Sequence, residues 1–124
     1  MTEILLIDDM AGVRRAVIAM LKRAGHNVTA AESGGQGLEL LKTRRFDLVI
    51  TDMMMPGVDG ADVLSHLSGM PNRPRVIAIS GGGAGISAES ALRLARIEAD
   101  AFLEKPFDAE ALLAAVDKLL VKTA

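Results

Sequence analysis

The chain has 124 residues, a formal net charge of −2 and no cysteine. This length suits one domain with its own core, and the lack of cysteine excludes disulfides and thiolate metal sites. No apolar run approaches the roughly 20 residues that cross a membrane, and the N-terminus lacks the features of a secretion signal. No basic stripe suggests direct binding to nucleic acid. We therefore expect a cytoplasmic protein consisting of a single domain, residues 1–124, with no output domain.

Short apolar runs alternate five times with segments of helical periodicity. The strands are predicted at residues 4–7, 26–31, 48–52, 75–80 and 101–103. The helices are predicted at residues 10–24, 33–44, 59–67, 87–98 and from 108 onwards. This alternation is typical of βα units. We therefore predict an α/β fold with a five-stranded parallel sheet and helices on both faces.

Several helix ends carry local signals. Gly25 suits a C-terminal stop for the first helix, and Ser33 with Gln36 fits a capping box for the second. Asp108 is expected to cap the last helix. The charged side chains of the helices are interpreted as solvent-facing.

Polar side chains follow four of the predicted strands. They are Asp8 and Asp9, Asp52, Ser80 and Lys105. Ligands of such sheets bind beyond the carboxyl ends of the strands, so these groups should meet. Two carboxylates ~4 Å apart repel by about 4 kcal/mol at an effective dielectric of ~20, and Mg²⁺ would offset that repulsion. A hydroxyl and an ammonium beside them suit a phosphoryl group.

Each of these residues also has an ordinary structural interpretation. Asp8 and Asp9 could cap the first helix, Asp52 could be a solvated strand end, and Lys105 could be a surface lysine. The combination on four strands favours a site.

Four motifs in order strengthen this hypothesis. They are Ile7-Asp8-Asp9, the stretch from Thr51 to Gly60, Ile79-Ser80, and Glu104-Lys105-Pro106-Phe107. Together they resemble the receiver domain of two-component response regulators, of the stand-alone, chemotaxis-regulator type, over about residues 2–121. The resemblance implies a flavodoxin-like sheet with strand order 2-1-3-4-5.

The resemblance also implies a role for each site residue. Asp52 is the expected phosphoacceptor. Asp9, Asp52 and the backbone carbonyl of Met54 are expected to bind Mg²⁺ directly, with Asp8 helping mainly through water. Met54 departs from the family pattern, which often has a polar residue at this position.

Three further residues are expected to respond to the phosphoryl group. Ser80 would hydrogen-bond to it and Lys105 would pair with it electrostatically. Phe102 occupies the aromatic switch position, which turns inward when the hydroxyl moves. The Lys105–Pro106 bond is expected to be cis, and the glycine run Gly81–Gly85 is interpreted as a mobile loop.

The resemblance implies signalling partners and no catalysis beyond self-phosphorylation from small donors and self-dephosphorylation. The expected phosphoryl donor is a histidine kinase or a histidine phosphotransfer protein. A downstream protein would bind the helix 4–strand 5–helix 5 face, and the domain would be a monomer or a weak dimer. Two alternatives remain open: a small Mg²⁺-dependent aspartyl-phosphate phosphatase of the haloacid dehalogenase type, and a flavin-binding module.

Overall fold

The structure, a computed structural model, describes residues 2–55, 57–80 and 99–121. The predicted fourth helix (87–98) and the Gly81–Gly85 run lie outside these residues, so α4 denotes the fifth predicted helix. The elements in chain order are β1 (Glu3–Ile7), α1 (Ala11–Arg23), β2 (Asn27–Ala31), α2 (Gly34–Thr43), β3 (Leu48–Asp52), α3 (Gly60–Ser68), β4 (Arg75–Ser80), β5 (Ala101–Glu104) and α4 (Ala109–Val121). Within these ranges no helix is both long and apolar enough to cross a membrane.

The five strands form one parallel sheet in the order β2-β1-β3-β4-β5. The predicted fold class and strand order are therefore confirmed. The central strand β3 is buried along its whole length, which explains its continuous apolar sequence, because helices cover both faces of the sheet.

Alternate residues of each strand supply two separate hydrophobic clusters. In β1, Leu5 and Ile7 face one cluster, and Ile4 and Leu6 face the other. The first cluster includes residues of α2 and α3, and the second includes residues of α1 and α4. The core therefore fixes the register of the strands, because a slip by one residue would exchange the two faces.

The local helix signals are mostly correct. Gly25 has a positive φ of 93° and its N–H donates to the carbonyl of Lys22. Asp108 Oδ1 accepts a hydrogen bond from the N–H of Ala111 at 2.8 Å.

Of the two hydrogen bonds predicted for the capping box of α2, one is confirmed and the other is wrong. Ser33 Oγ accepts from the N–H of Gln36 at 3.1 Å, as expected. However, Gln36 Oε1 accepts from the N–H of Glu32, one residue before the N-cap. The long glutamine side chain thus reaches past Ser33, and it still satisfies a backbone donor at the helix start.

A glycine brings α3 close to the end of β3. A Cβ on Gly60 would lie 2.5 Å from both the carbonyl oxygen of Asp52 and the Cα of Met53. Real Cβ atoms essentially never approach so closely. Gly60 therefore allows α3 to begin directly beside the last residue of β3.

Candidate functional site

Three carboxylates meet at the carboxyl edge of the sheet. Asp8 and Asp9 directly follow β1, and Asp52 ends the neighbouring strand β3. Each offers an oxygen, and these oxygens all lie within 4.8 Å of one another. Asp8 is fully buried and Asp52 is 3% exposed, whereas Asp9 is exposed to solvent.

Asp8 and Asp9 do not cap α1. The N-cap of α1 is Met10, and it receives no side-chain cap. Asp8 Oδ1 instead accepts from the N–H of Met10 at 2.9 Å, within the loop itself. The acidic pair is therefore held at the strand end and is not used to terminate the helix.

Lys105, which directly follows β5, reaches the carboxylates at the same edge of the sheet. Its Nζ lies 3.1 Å from Asp8 Oδ2 and 3.1 Å from Asp52 Oδ2. Its backbone N–H donates to the carbonyl of Ser80 at 2.7 Å. The Lys105–Pro106 peptide bond is cis. The structure thus brings Lys105 into contact with both Asp8 and Asp52, and the sequence predicts that these groups meet.

Ser80 and Phe102 lie on the same face of the sheet. Ser80 is the last residue of β4 and is 4% exposed. Phe102 of β5 pairs with Ala78, two residues before Ser80, and Ala78 and Phe102 pack in the same cluster. Because side chains alternate along a strand, Ser80 projects from the same face as Ala78 and Phe102. The switch role of Phe102 stays a prediction.

The loop after β3 holds the carboxylate of Asp52. The N–H of Met54 donates to Asp52 Oδ1 at 3.0 Å. Met53 and Met55 are buried, whereas Met54 is 45% exposed. Gly57 has a φ of 73°, a conformation that favours glycine. Both oxygens of Asp52 therefore have a hydrogen-bond donor, one from Met54 and one from Lys105.

The charges of the site alter each other's ionisation. Burial raises the pKa of Asp52 above its ordinary value, and the charge of Asp8 adds to this, although the Met54 N–H and Lys105 oppose it. Burial alone would lower the pKa of Lys105, but its close contacts with the carboxylates of Asp52 and Asp8 outweigh burial and raise it. Lys105 therefore carries a fixed positive charge at neutral pH.

The carboxylates fit a divalent cation. Asp8 Oδ2 is buried, and no described residue donates a hydrogen bond to it. Lys105 approaches it as an ion pair, without the alignment of a hydrogen bond. The three carboxylates carry more negative charge than the ammonium of Lys105 offsets. A hard cation with oxygen ligands would neutralise this charge and satisfy the buried oxygen.

Two residues beside the site were not identified from the sequence. Arg14 Nη1 donates to the carbonyl of Asp8 at 2.8 Å, so this side chain of α1 does not simply face solvent. Met10 Sδ lies 3.9 Å from Lys105 Nζ. Arg14 lies one turn into the helix that follows the acidic pair, and this position could have indicated that its side chain reaches the site.

Comparisons with known proteins place the chain in a family. The family model for the response regulator receiver domain matches residues 4–117. Chemotaxis protein CheY of Bacillus subtilis is 34% identical over 120 residues, which cover 94% of this chain and 96% of CheY. Transcriptional regulatory protein GlrR of Escherichia coli is 33% identical over 122 residues, which cover 98% of this chain. A solved structure, the Francisella response regulator 1452 receiver domain, has a TM-score of 0.85 and 26% identity, and the match covers all of both chains.

The matched relatives differ in length. This chain spans only 27% of GlrR, although it covers nearly all of CheY. All the site residues discussed above lie within the matched range 4–117.

Proposed function

This chain belongs to the response regulator receiver domain family, and from that premise we propose that Asp52 is its phosphoacceptor. The donor would be a phosphohistidine on a histidine kinase or on a histidine phosphotransfer protein. One observation carries the assignment to Asp52. Its carboxylate ends the central strand with one oxygen held by the Met54 N–H and the other by Lys105.

The arrangement suits attack on a phosphorus atom. An oxygen of Asp52 would form the new P–O bond while the bond from phosphorus to the imidazole nitrogen breaks, and the nitrogen would keep the electron pair. Lys105 would pair with the transferred phosphoryl oxygens, and the hydroxyl of Ser80 would donate to them. Preorganised donors of this kind stabilise the charge that develops during transfer.

Asp9, Asp52 and the carbonyl of Met54 would hold Mg²⁺, and Asp8 would help mainly through water. The bound ion would supply positive charge toward the carboxylates and the phosphoryl oxygens. Lys105 lies 3.1 Å from the carboxylates of both Asp8 and Asp52, but its single charge does not balance three carboxylates. Phosphorylation should therefore depend on the metal.

The acyl phosphate would act by shifting a pre-existing conformational equilibrium. Ser80 would move toward the phosphoryl group and Phe102 would turn inward beside it. The changed surface would comprise residues 87–98, β5 and α4, and a downstream protein would bind there. The chain's own chemistry would be limited to self-phosphorylation from small donors and self-dephosphorylation.

Intact-mass spectrometry with Mg²⁺ and acetyl phosphate tests the proposal. The wild type should gain one phosphoryl group, and EDTA should prevent the gain. Asp52→Asn should abolish it, whereas Asp117→Asn, which changes an exposed carboxylate on α4, should not. Undiminished labelling of Asp52→Asn would refute the assignment. Continuous hydrolysis of a phosphomonoester such as p-nitrophenyl phosphate would favour the phosphatase alternative.

A further inference from the structure

Methionines surround the phosphoacceptor site, and they differ sharply in exposure. Met53 is 1% exposed and Met55 is 8% exposed. Met10 and Met54 are 55% and 45% exposed, and they are the exposed large hydrophobic residues in the described part of the chain. Met10, after β1, and Met54, after β3, are therefore accessible to solvent, whereas Met53 and Met55, which flank Met54, are buried.

Met10 differs from Met54 in what its sulfur contacts. Met10 Sδ lies 3.9 Å from Lys105 Nζ, and the same ammonium lies 3.1 Å from Asp8 and from Asp52. The side chain of Lys105 is 15% exposed. A chemical change at the Met10 sulfur would therefore alter the interactions of the Lys105 ammonium, which pairs with the phosphoacceptor.

We propose that Met10 is an oxidation-sensitive modification site through which peroxide lowers the phosphorylation of Asp52. The proposal rests on the phosphoacceptor role given above. In the oxidation, the thioether sulfur attacks one oxygen of hydrogen peroxide, an S–O bond forms and the O–O bond breaks. The departing hydroxide takes the proton from the transferred oxygen, which leaves a sulfoxide and water. Sulfur loses two electrons and the peroxide gains them.

The sulfoxide oxygen changes the environment of Lys105. A thioether is a weak hydrogen-bond acceptor, whereas a sulfoxide is polar and accepts strongly. The ammonium has three donors, and two of them face Asp8 and Asp52. A hydrogen bond to the Met10 sulfoxide draws the ammonium away from the incoming phosphoryl group. Oxidation should slow phosphorylation by about tenfold, the rate equivalent of one hydrogen bond from a charged group.

The first measurement concerns the chemistry alone. The protein is treated with hydrogen peroxide, digested and examined by mass spectrometry for sulfoxide at each methionine. Met10 and Met54 should oxidise well before Met53 and Met55, because only the first two are exposed. Oxidation of Met53 or Met55 at the rate of Met10 would overturn the proposal.

The second measurement compares the rate of phosphorylation from acetyl phosphate before and after peroxide, within each variant. After peroxide, the phosphorylation rates of the wild type and of Met54→Leu should fall about tenfold. The rate of Met10→Leu should change little. Methionine sulfoxide reductases should restore the wild-type rate, since they reverse this modification. Equal loss in Met10→Leu, or no recovery after reduction, would overturn the proposal. If the untreated wild type gains no phosphoryl group, the proposed function fails instead.

Discussion

Replacing Asp52 by asparagine tests the electrostatics of the site without any phosphorylation. The substitution keeps the shape of the side chain and removes its charge. We expect it to stabilise the folded protein when no divalent cation is present. The reason is that the negative charge of Asp52 is buried beside two other carboxylates. This arrangement suits cation binding and costs folding stability.

The size of the effect follows from opposing contributions. Asp8 and Asp9 present oxygens within 4.8 Å of Asp52, and at that distance a charge pair repels by about 3.5 kcal/mol at an effective dielectric of ~20. Solvent weakens the contribution of the exposed Asp9. Lys105, at 3.1 Å, attracts the carboxylate by about 5 kcal/mol on the same scale. These pair energies nearly cancel, so the burial of Asp52 decides the sign. We expect Asp52→Asn to raise the free energy of unfolding by on the order of 1–3 kcal/mol.

The effect should also depend on pH. Burial and the charge of Asp8 raise the pKa of Asp52 above its ordinary value of 3.8. The folded wild type therefore binds this proton more tightly than the unfolded chain, and it loses stability as pH rises from 3.8 through the folded pKa. The advantage of Asp52→Asn should be absent below pH 3.8 and complete above the raised pKa.

Urea unfolding in EDTA measures the difference. Far-ultraviolet circular dichroism is the suitable signal, because the chain has no Trp and no Tyr. Asp117→Asn is the control and should change stability by less than about 0.5 kcal/mol. At saturating Mg²⁺ the wild type gains binding energy that the variant largely lacks, so the difference should shrink. A destabilised Asp52→Asn in EDTA at neutral pH would show that the Lys105 ion pair outweighs burial, and it would refute this reasoning.

Two further predictions concern the metal and the glycines. Asp9→Ala should weaken Mg²⁺ binding more than Asp8→Ala, since Asp9 is the expected direct ligand, and calorimetric titration showing equal losses would contradict these roles. Gly60→Ala should destabilise the protein by about 1–3 kcal/mol, because the new Cβ would lie 2.5 Å from the carbonyl oxygen of Asp52. Gly35→Ala is the matched control, because a Cβ there would meet no described atom within 4 Å. It should stabilise α2 by up to roughly 1 kcal/mol. A similar loss of stability from both substitutions in urea unfolding would refute the close-approach argument.

The strands were predictable because their sequence patterns have a direct physical cause. β3 and β4 are buried on both faces, so each is mainly apolar in sequence, and each ends on a buried polar residue at the carboxyl edge of the sheet. Since the ends of parallel strands share one edge, Asp8, Asp52 and Lys105 could be placed together before the structure was known. The strand order itself came from the family resemblance, because periodicity does not distinguish one order of parallel strands from another.

The remaining features depend on side-chain reach, which periodicity does not encode. Arg14 was interpreted as solvent-facing from its place on α1, yet its guanidinium donates to the carbonyl of Asp8. Met10 and Lys105 are far apart in sequence, and only the folded structure brings the sulfur and the ammonium to 3.9 Å. The side-chain oxygen of Gln36 accepts from the N–H of Glu32 and not from that of Ser33, because a long side chain can reach several neighbouring donors.

The most direct test of the central claim is to locate the phosphoryl group chemically. The protein is incubated with Mg²⁺ and acetyl phosphate and then reduced with borohydride, which converts a phosphorylated aspartate into homoserine. Tandem mass spectrometry of the peptide spanning β3 should find homoserine at position 52 and nowhere else in the chain. Homoserine in place of Asp8 or Asp9, with Asp52 intact, would contradict the assignment of the phosphoacceptor.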